Sequence, residues 1–263
     1  MLVSDAVFDE LVLIITDRCT SSCSSCPLAC GPNCVHEMDE HLAKDLVVQA
    51  SSLGFSRITL AGGEPFLFPG LVRKLLECAR DEGVRERCVD TNGFWGKWAD
   101  ERIEDAVGTL RGSLTHMVFG FDSFHAEHVD ASALWRAIRF ADDMPAQTVM
   151  RVADVYGARG AGEFLASLGE DALYWLYLVY PLLPLGRAEN LPCDWFVGGI
   201  DEAKLRAESR KTFCALWDGR IYPCYYPGIP DVSTCLGDAA RDPLADILSP
   251  AETATRTHIG SRE

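Results

Sequence analysis

Apolar residues along the chain follow two alternating rhythms. Runs such as Leu11–Thr16 and Arg57–Ala61 are short, rich in aliphatic residues and bounded by turn formers, which predicts strands buried in a sheet. Between them lie longer segments with apolar residues three and four apart. In Asp39–Leu53, Leu42, Leu46, Val47 and Ala50 share one helical face, and Gly54 fits the C-terminal cap. The alternation continues with helices at Leu71–Asp81, Asp100–Leu110, Ala131–Asp142 and Gly162–Leu168. Strands fall at Arg87–Thr91, Thr115–Asp122, Gln147–Ala153 and Leu173–Tyr180. Repeated strand–helix units predict an α/β fold with a parallel sheet, because each helix supplies a right-handed crossover. Six strands are fewer than a closed eight-fold barrel uses, so the expected architecture is an open, partial (β/α)6 barrel over residues 1–190.

Around Leu191 the rhythm stops while cysteine, glycine and proline rise. Residues 191–248 are expected to form a small, irregular, cysteine-rich C-terminal extension that a metal centre holds together. The final stretch, 249–263, is small and polar and is expected to be disordered.

Composition narrows the function. Apolar content of 48% and charged content of 24% suit a globular enzyme. A net charge of −15 without any basic stripe argues against nucleic acid as a partner. The start, MLVSDAVFDE, lacks the pattern of a signal peptide, and the run Ala172–Tyr180 is too short, and too soon met by Pro181, to span a bilayer. No membrane association and a cytoplasmic location are therefore expected. Thiols stay reduced there, so eleven cysteines point to metal or redox chemistry rather than a disulfide framework.

The sharpest chemical signal is Cys19-x3-Cys23-x2-Cys26, directly after the first strand. Three thiolates on one loop can ligate three irons of a 4Fe–4S cube, leaving the fourth free to bind a small molecule. A structural zinc site shares the Cys-x2-Cys spacing, but usually builds a small finger rather than a loop at a sheet rim. Gly62-Gly63-Glu64-Pro65 follows the second strand: glycines allow close backbone approach, and a carboxylate can pair with an ammonium group. An ordinary strand-to-helix turn would use similar residues. Asp90-Thr91-Asn92-Gly93 follows the third strand and Asp122-Ser123-Phe124-His125 the fourth, with His128 just beyond. Capping residues of ordinary turns would read the same. All these motifs fall at strand C-terminal ends, where ligands of such sheets sit.

The segments ITDRCTSSCSSC and LAGGEPFL resemble the radical S-adenosylmethionine (SAM) superfamily, and the agreement runs from about Leu11 to about Ala188. The resemblance implies the same partial barrel, with Cys19, Cys23 and Cys26 as catalytic cluster ligands. It implies SAM contacts at Gly62, Gly63, Glu64 and Pro65, and further contacts at Thr91, Asn92, Asp122, Ser123 and Arg151. Gly186-Arg187-Ala188 resembles a turn placed near the adenine. The family's aromatic residue before the third cysteine is Ser25 here, so another side chain is expected to pack on the base.

Cys214-x9-Cys224, followed by Leu236-Gly237-Asp238, resembles a shortened hairpin of SPASM and twitch domains, which hold auxiliary iron–sulfur clusters. Cys193, Cys214, Cys224 and Cys235 would then ligate one auxiliary cluster; the bland alternative is a hairpin with unoccupied thiols. Cys30 and Cys34 have no assignment: they could donate to the auxiliary cluster, bind a metal with His36, or pair with each other. Cys78 and Cys88 read as small buried apolar residues.

The resemblance implies reductive cleavage of SAM to a 5′-deoxyadenosyl radical, which takes hydrogen from a small metabolite or short peptide. Net oxidation or cross-linking in natural-product tailoring is expected, with a flavodoxin- or ferredoxin-type reductant. A radical epimerase using a thiol such as Cys235, a glycyl-radical activase, and a non-catalytic metal-binding or electron-carrier protein are the alternatives.

Overall fold

The computed structural model describes residues 9–157, 159–169, 175–196, 211–226, 229–230, 232 and 234–249. The sheet begins with β1 (Glu10–Ile14), and α1 (Glu40–Ser52) returns the chain to β2 (Arg57–Ala61). Next come α2 (Pro69–Asp81), β3 (Glu86–Thr91), α3 (Asp100–Ala106), β4 (His116–Gly120) and α4 (Ala131–Asp142). β5 (Gln147–Asp154), α5 (Ala161–Ser167) and β6 (Leu176–Pro181) complete the alternation. Each strand from β1 to β6 pairs in parallel with the next, and the sheet stays open beyond β6. This is the expected partial barrel.

Local chemistry sets the element ends. The Asp39 carboxylate caps α1 by accepting from the N–H groups of His41 and Leu42 at 2.9 and 3.1 Å. Gly54, at φ +84°, lets the chain leave the helix. The helix expected over Asp100–Leu110 is interrupted near Gly108: α3 stops at Ala106 and a 3-10 turn covers Gly108–Leu110. Of the expected sixth strand, residues 173–174 lie outside the described residues.

Both faces of β1 are covered. Leu11, Leu13 and Ile15 pack with Leu46 and Val47 of α1 in the main core. Each fully buried side chain of this kind contributes about 1.5–3 kcal/mol over an exposed one. Val12 and Ile14 point to the inner face, against Cys214 and Leu216. That face also buries polar pairs. The Thr59 hydroxyl donates to Glu10 Oε1 at 2.5 Å, and Arg151 pairs with Asp90 at 2.6 Å.

The described strands of the extension join the same sheet, where its composition suggested an irregular appendage. β7 (Thr212–Ala215) pairs in parallel with β1, and β8 (Arg220–Tyr226) folds back antiparallel to β7. β9 (Ile229–Pro230) and β10 (Gly237–Asp238) add to β8. A short helix, α6 (Leu244–Ile247), docks on α1, with the Leu244 N–H donating to Gln49 Oε1 at 2.6 Å. Asp218-Gly219, with Gly219 at φ +89°, is the hairpin signal in the sequence. Of the expected disordered tail only Ser249 is described. No helix among the described residues is long and apolar enough to cross a membrane.

Candidate active site

Between β1 and α1 the chain makes a long excursion that folds back on itself. Thr16 bridges Glu37 and Arg18 bridges Gly31. The Asp17 carboxylate accepts from the His36 N–H at 2.8 Å and pairs with its Nδ1 at 2.5 Å, while the His36 ring stacks on Trp217. This frame presents Cys19, Cys23 and Cys26 to a cavity of about 810 Å³, part of it open to solvent. Its other walls are the C-terminal ends of the strands: Ala61, Gly62 and Gly63 after β2, Asp90–Asn92 on β3, Gly120 on β4, Arg151 on β5 and Tyr180 on β6.

The two glycines are required by backbone proximity. A Cβ at Gly62 (φ +138°) would lie 2.3 Å from the Thr16 carbonyl oxygen, and one at Gly63 only 2.1 Å from that of Arg18. In their place, the Gly63 and Glu64 N–H groups donate to those same oxygens at 2.7 and 2.9 Å. The motif thus fastens the end of β2 to the residues just before Cys19. The Glu64 carboxylate, expected to pair with an ammonium group, is engaged within the protein. It is fully buried and accepts from the Phe66 N–H, the Thr91 hydroxyl and the Asn92 N–H at 3.0, 2.9 and 2.8 Å, tying β2 to β3. Burial raises its pKa to about 7 despite these donors. Neither Glu64 nor Pro65 lies on the cavity wall.

Asn92 joins the wall to the cysteine loop. Its Nδ2 donates to the hydroxyls of Thr20 and Ser21 at 3.1 and 3.3 Å and approaches Cys19 Sγ at 3.8 Å. Asp122 is buried behind the cavity, where it accepts from the Phe124 and His125 N–H groups and holds His125 Nδ1 at 2.8 Å. Burial works to raise the Asp122 pKa, but the His125 imidazole and these donors bring it below its ordinary value. His125 itself lines the cavity, Ser123 turns away to donate to the Arg159 carbonyl at 3.1 Å, and His128 is exposed. Arg151 brings its guanidinium to the wall, 5.9 Å from the Tyr180 ring centre.

Gly186 and Arg187 show the tightest adaptation to the loop. A Cβ at Gly186 (φ +59°) would fall 2.2 Å from the Pro27 carbonyl oxygen. Arg187 donates from its backbone to the Cys26 carbonyl at 3.0 Å, from Nε to that of Cys23 at 2.8 Å, and from Nη2 to that of Cys30 at 2.6 Å. Its part is to buckle the cysteine loop. The sequence holds no signal for this, because the partners lie 164 and 157 residues away. Tyr180 and Cys30 are further wall residues that sequence reasoning did not place in the site.

The four cysteines expected around an auxiliary cluster lie in different settings. Cys214 and Cys224 are buried on β7 and β8 in an apolar cluster with Val12, Ile14 and Ala61. Cys235 is exposed, its thiol 3.5 Å from the Gly237 carbonyl oxygen. Cys193 is exposed in a 3-10 turn whose Trp195 carbonyl accepts from Tyr156 beyond β5, whereas β7 lies on the far side of β1. Cys30 and Cys34 are also separated in environment: Cys30 is buried on the cavity wall, and the Cys34 thiol lies 3.9 Å from the Ala29 carbonyl oxygen. Cys88 is buried and Cys78 half-buried against the core, as expected.

The thiols of the loop differ in acidity. Burial pushes Cys19 up to about 12, with the Glu64 carboxylate adding to it, and burial likewise raises Cys23. Cys26 is lowered to about 6, first by the Cys30 thiol and then, against burial, by the N–H groups of Cys30 and Leu28. Three ionised thiols in this cavity need a cationic centre to offset their charge, and coordination supplies it. The donor set therefore fits an iron–sulfur cluster, with free wall beyond it for a second ligand.

The sequence profile of the radical SAM superfamily matches residues 13–142. Residues 13–142 thus carry the domain of a superfamily of enzymes whose members use a 4Fe–4S cluster and SAM. Among curated relatives, the GTP 3′,8-cyclase of Moorella thermoacetica is 32% identical over 135 residues, covering 50% of this chain and 42% of that protein. The GTP 3′,8-cyclase of Geobacter sulfurreducens is 36% identical over 87 residues, 32% of this chain and 27% of that protein. The chain thus spans less than half the length of these relatives. Among solved structures, Streptococcus suis SuiB bound to precursor peptide SuiA aligns with TM-score 0.67 and 13% identity, over 96% of this chain and 67% of SuiB. The anSMEcpe structure with bound AdoMet aligns at 0.62 and 14% identity, over 94% and 82%. BtrN in complex with AdoMet and 2-DOIA aligns at 0.54 and 19% identity, over 96% and 87%. These likenesses establish the fold.

Proposed function

We propose that this protein cleaves SAM reductively and removes a hydrogen atom from a small metabolite or short peptide, with Cys19, Cys23 and Cys26 as the cluster ligands. The carrying observation is that these three thiols share one cavity with the C-terminal ends of β2 to β6. When bound, the cluster and SAM supply one-electron cleavage to methionine and a 5′-deoxyadenosyl radical. The chain's own residues position and enclose. Gly62 and Gly63 offer backbone at the open side of the thiol set, with Thr91 and Asn92 beside them. Arg151, steadied by Asp90, offers a guanidinium to a carboxylate. Tyr180 is the aromatic wall residue that takes the place left by Ser25. Enclosure excludes water from a reactive species and keeps the target C–H close.

The likeness to structures holding a peptide or 2-DOIA supports the substrate class, and oxidation or cross-linking is the favoured outcome. Cys235, the thiol an epimerase would use, lies off the cavity wall. A flavodoxin- or ferredoxin-type protein in a cytoplasmic setting is the proposed electron source. Residues 1–190 are the proposed catalytic core and 191–248 a twitch-like extension. Support for an auxiliary cluster is confined to Cys214, Cys224 and Cys235, which lie on or beside adjoining strands. The similarity to GTP 3′,8-cyclases favours a second reading, a nucleotide substrate.

Anaerobically reconstituted protein given SAM and dithionite is expected to form 5′-deoxyadenosine, and Cys19→Ala, Cys23→Ala and Cys26→Ala to lose both iron and product. A fully iron-loaded wild type that forms none overturns the proposal. Adding GTP and assaying for a cyclised product decides the second reading. Iron and sulfide counts in Cys214→Ala/Cys224→Ala decide the auxiliary cluster: unchanged counts leave these thiols as core filling.

A further inference from the structure

Cys19 receives hydrogen bonds from two parts of the chain. The Ser21 N–H, on its own loop, donates to Cys19 Sγ at 3.4 Å. From just beyond β3 comes the carboxamide of Asn92, whose Nδ2 donates to the same sulfur at 3.8 Å. The rest of the side chain is fixed. Asn92 is only 6% exposed, its N–H donates to Glu64 Oε2 at 2.8 Å, and its Oδ1 accepts from the Phe94 N–H at 2.9 Å. With the oxygen end so occupied, the nitrogen end faces the cysteine loop, where the Thr20 and Ser21 hydroxyls accept from it at 3.1 and 3.3 Å. A thiol that gives up its proton to bind iron becomes an anionic acceptor, which strengthens the bonds it receives.

Resting on the reading that Cys19 ligates the cluster, we propose that Asn92 is a positioning residue whose amide bonds the Cys19 sulfur and raises the cluster's reduction potential. Hydrogen bonds to a ligand sulfur draw negative charge from the cluster and so favour its reduced, more negative state. No bond is broken and no electron or proton leaves Asn92.

The test compares full-length wild type, Asn92→Ala, Asn92→Asp and Thr20→Val after anaerobic reconstitution, without SAM or substrate. Midpoint potential is read from the EPR signal of the reduced cluster during a redox titration, alongside iron and sulfide counts. Asn92→Ala removes the donor without adding charge; Asn92→Asp removes it while keeping an oxygen for the Phe94 N–H. Both are expected to keep their iron and sulfide but shift to lower potential, so that the reduced fraction at a fixed ambient potential falls several-fold. Thr20→Val takes one acceptor from the same amide and leaves Cys19 its donor, so it is expected to hold the wild-type potential. If Asn92→Ala does not fold, Asn92→Leu fills the space without donating and is read the same way. An unchanged potential in Asn92→Ala at full iron loading overturns the proposal, even where Asn92→Asp shifts, because added charge alone would then explain the shift. An equal shift in Thr20→Val also overturns it, tracing the potential to packing of the loop. So does a loss of iron from the Asn92 variants, which would assign the amide to cluster assembly. Full iron retention by Cys19→Ala overturns instead the cluster reading beneath it.

Discussion

Arg187 and Glu64 carry motif positions whose hydrogen bonds brace the cysteine loop and the junction of β2 with β3. Arg187, expected near the adenine, lines the cavity and holds the Cys23 and Cys30 carbonyls. Arg187→Ala should leave those acceptors unsatisfied, costing on the order of 2 kcal/mol and lowering iron uptake. Arg187→Lys should not restore it, because one ammonium cannot reproduce the guanidinium fork. Thermal melts and iron counts check this, and unchanged values in Arg187→Ala would remove the buckle. Glu64 is raised to about 7 from 4.5, by burial. Between these values the folded state keeps a proton that the unfolded chain has lost. Stability should therefore fall as pH rises through this window and level off above it. Glu64→Gln should flatten that fall in melts taken across the window. An equal slope in both proteins would place the titrating group elsewhere.

At the scale of elements, the strand–helix rhythm was legible from apolar spacing, and α1 and α4 begin behind carboxylates that the sequence displays, Asp39 and Asp130. The Gly62-Gly63 pair was legible as a motif, but its necessity was not, since it depends on the Thr16 and Arg18 carbonyls crossing beside it. Two alanine substitutions separate these causes. At Gly112, φ is +91° with open space around it, so Gly112→Ala should cost only backbone strain, about 1 kcal/mol, without loss of iron. Gly63→Ala drives a methyl group into backbone and should also lose iron and SAM binding, measured by reconstitution and isothermal titration. Equal cluster content in both variants would show that the close approach is not needed.

In the whole molecule, β1 is an interior strand, paired to β2 on one side and β7 on the other, with all five residues buried. The extension thus shares the sheet of the strands before residue 190. A chain ending at residue 190 should expose the edge of β1 and associate, visible as larger species in size-exclusion chromatography. A monomeric fragment that still takes up iron would make the extension dispensable. The sequence by itself determined the open parallel sheet of β1 to β6 and the three-cysteine loop, because each rests on local spacing and on chain connectivity. Only the tertiary structure decided that Arg187 closes that loop, that Asn92 reaches Cys19, and that the extension completes the sheet beside β1. Those contacts join segments far apart in the chain or turn on which way a side chain points, and neither is written in a local pattern.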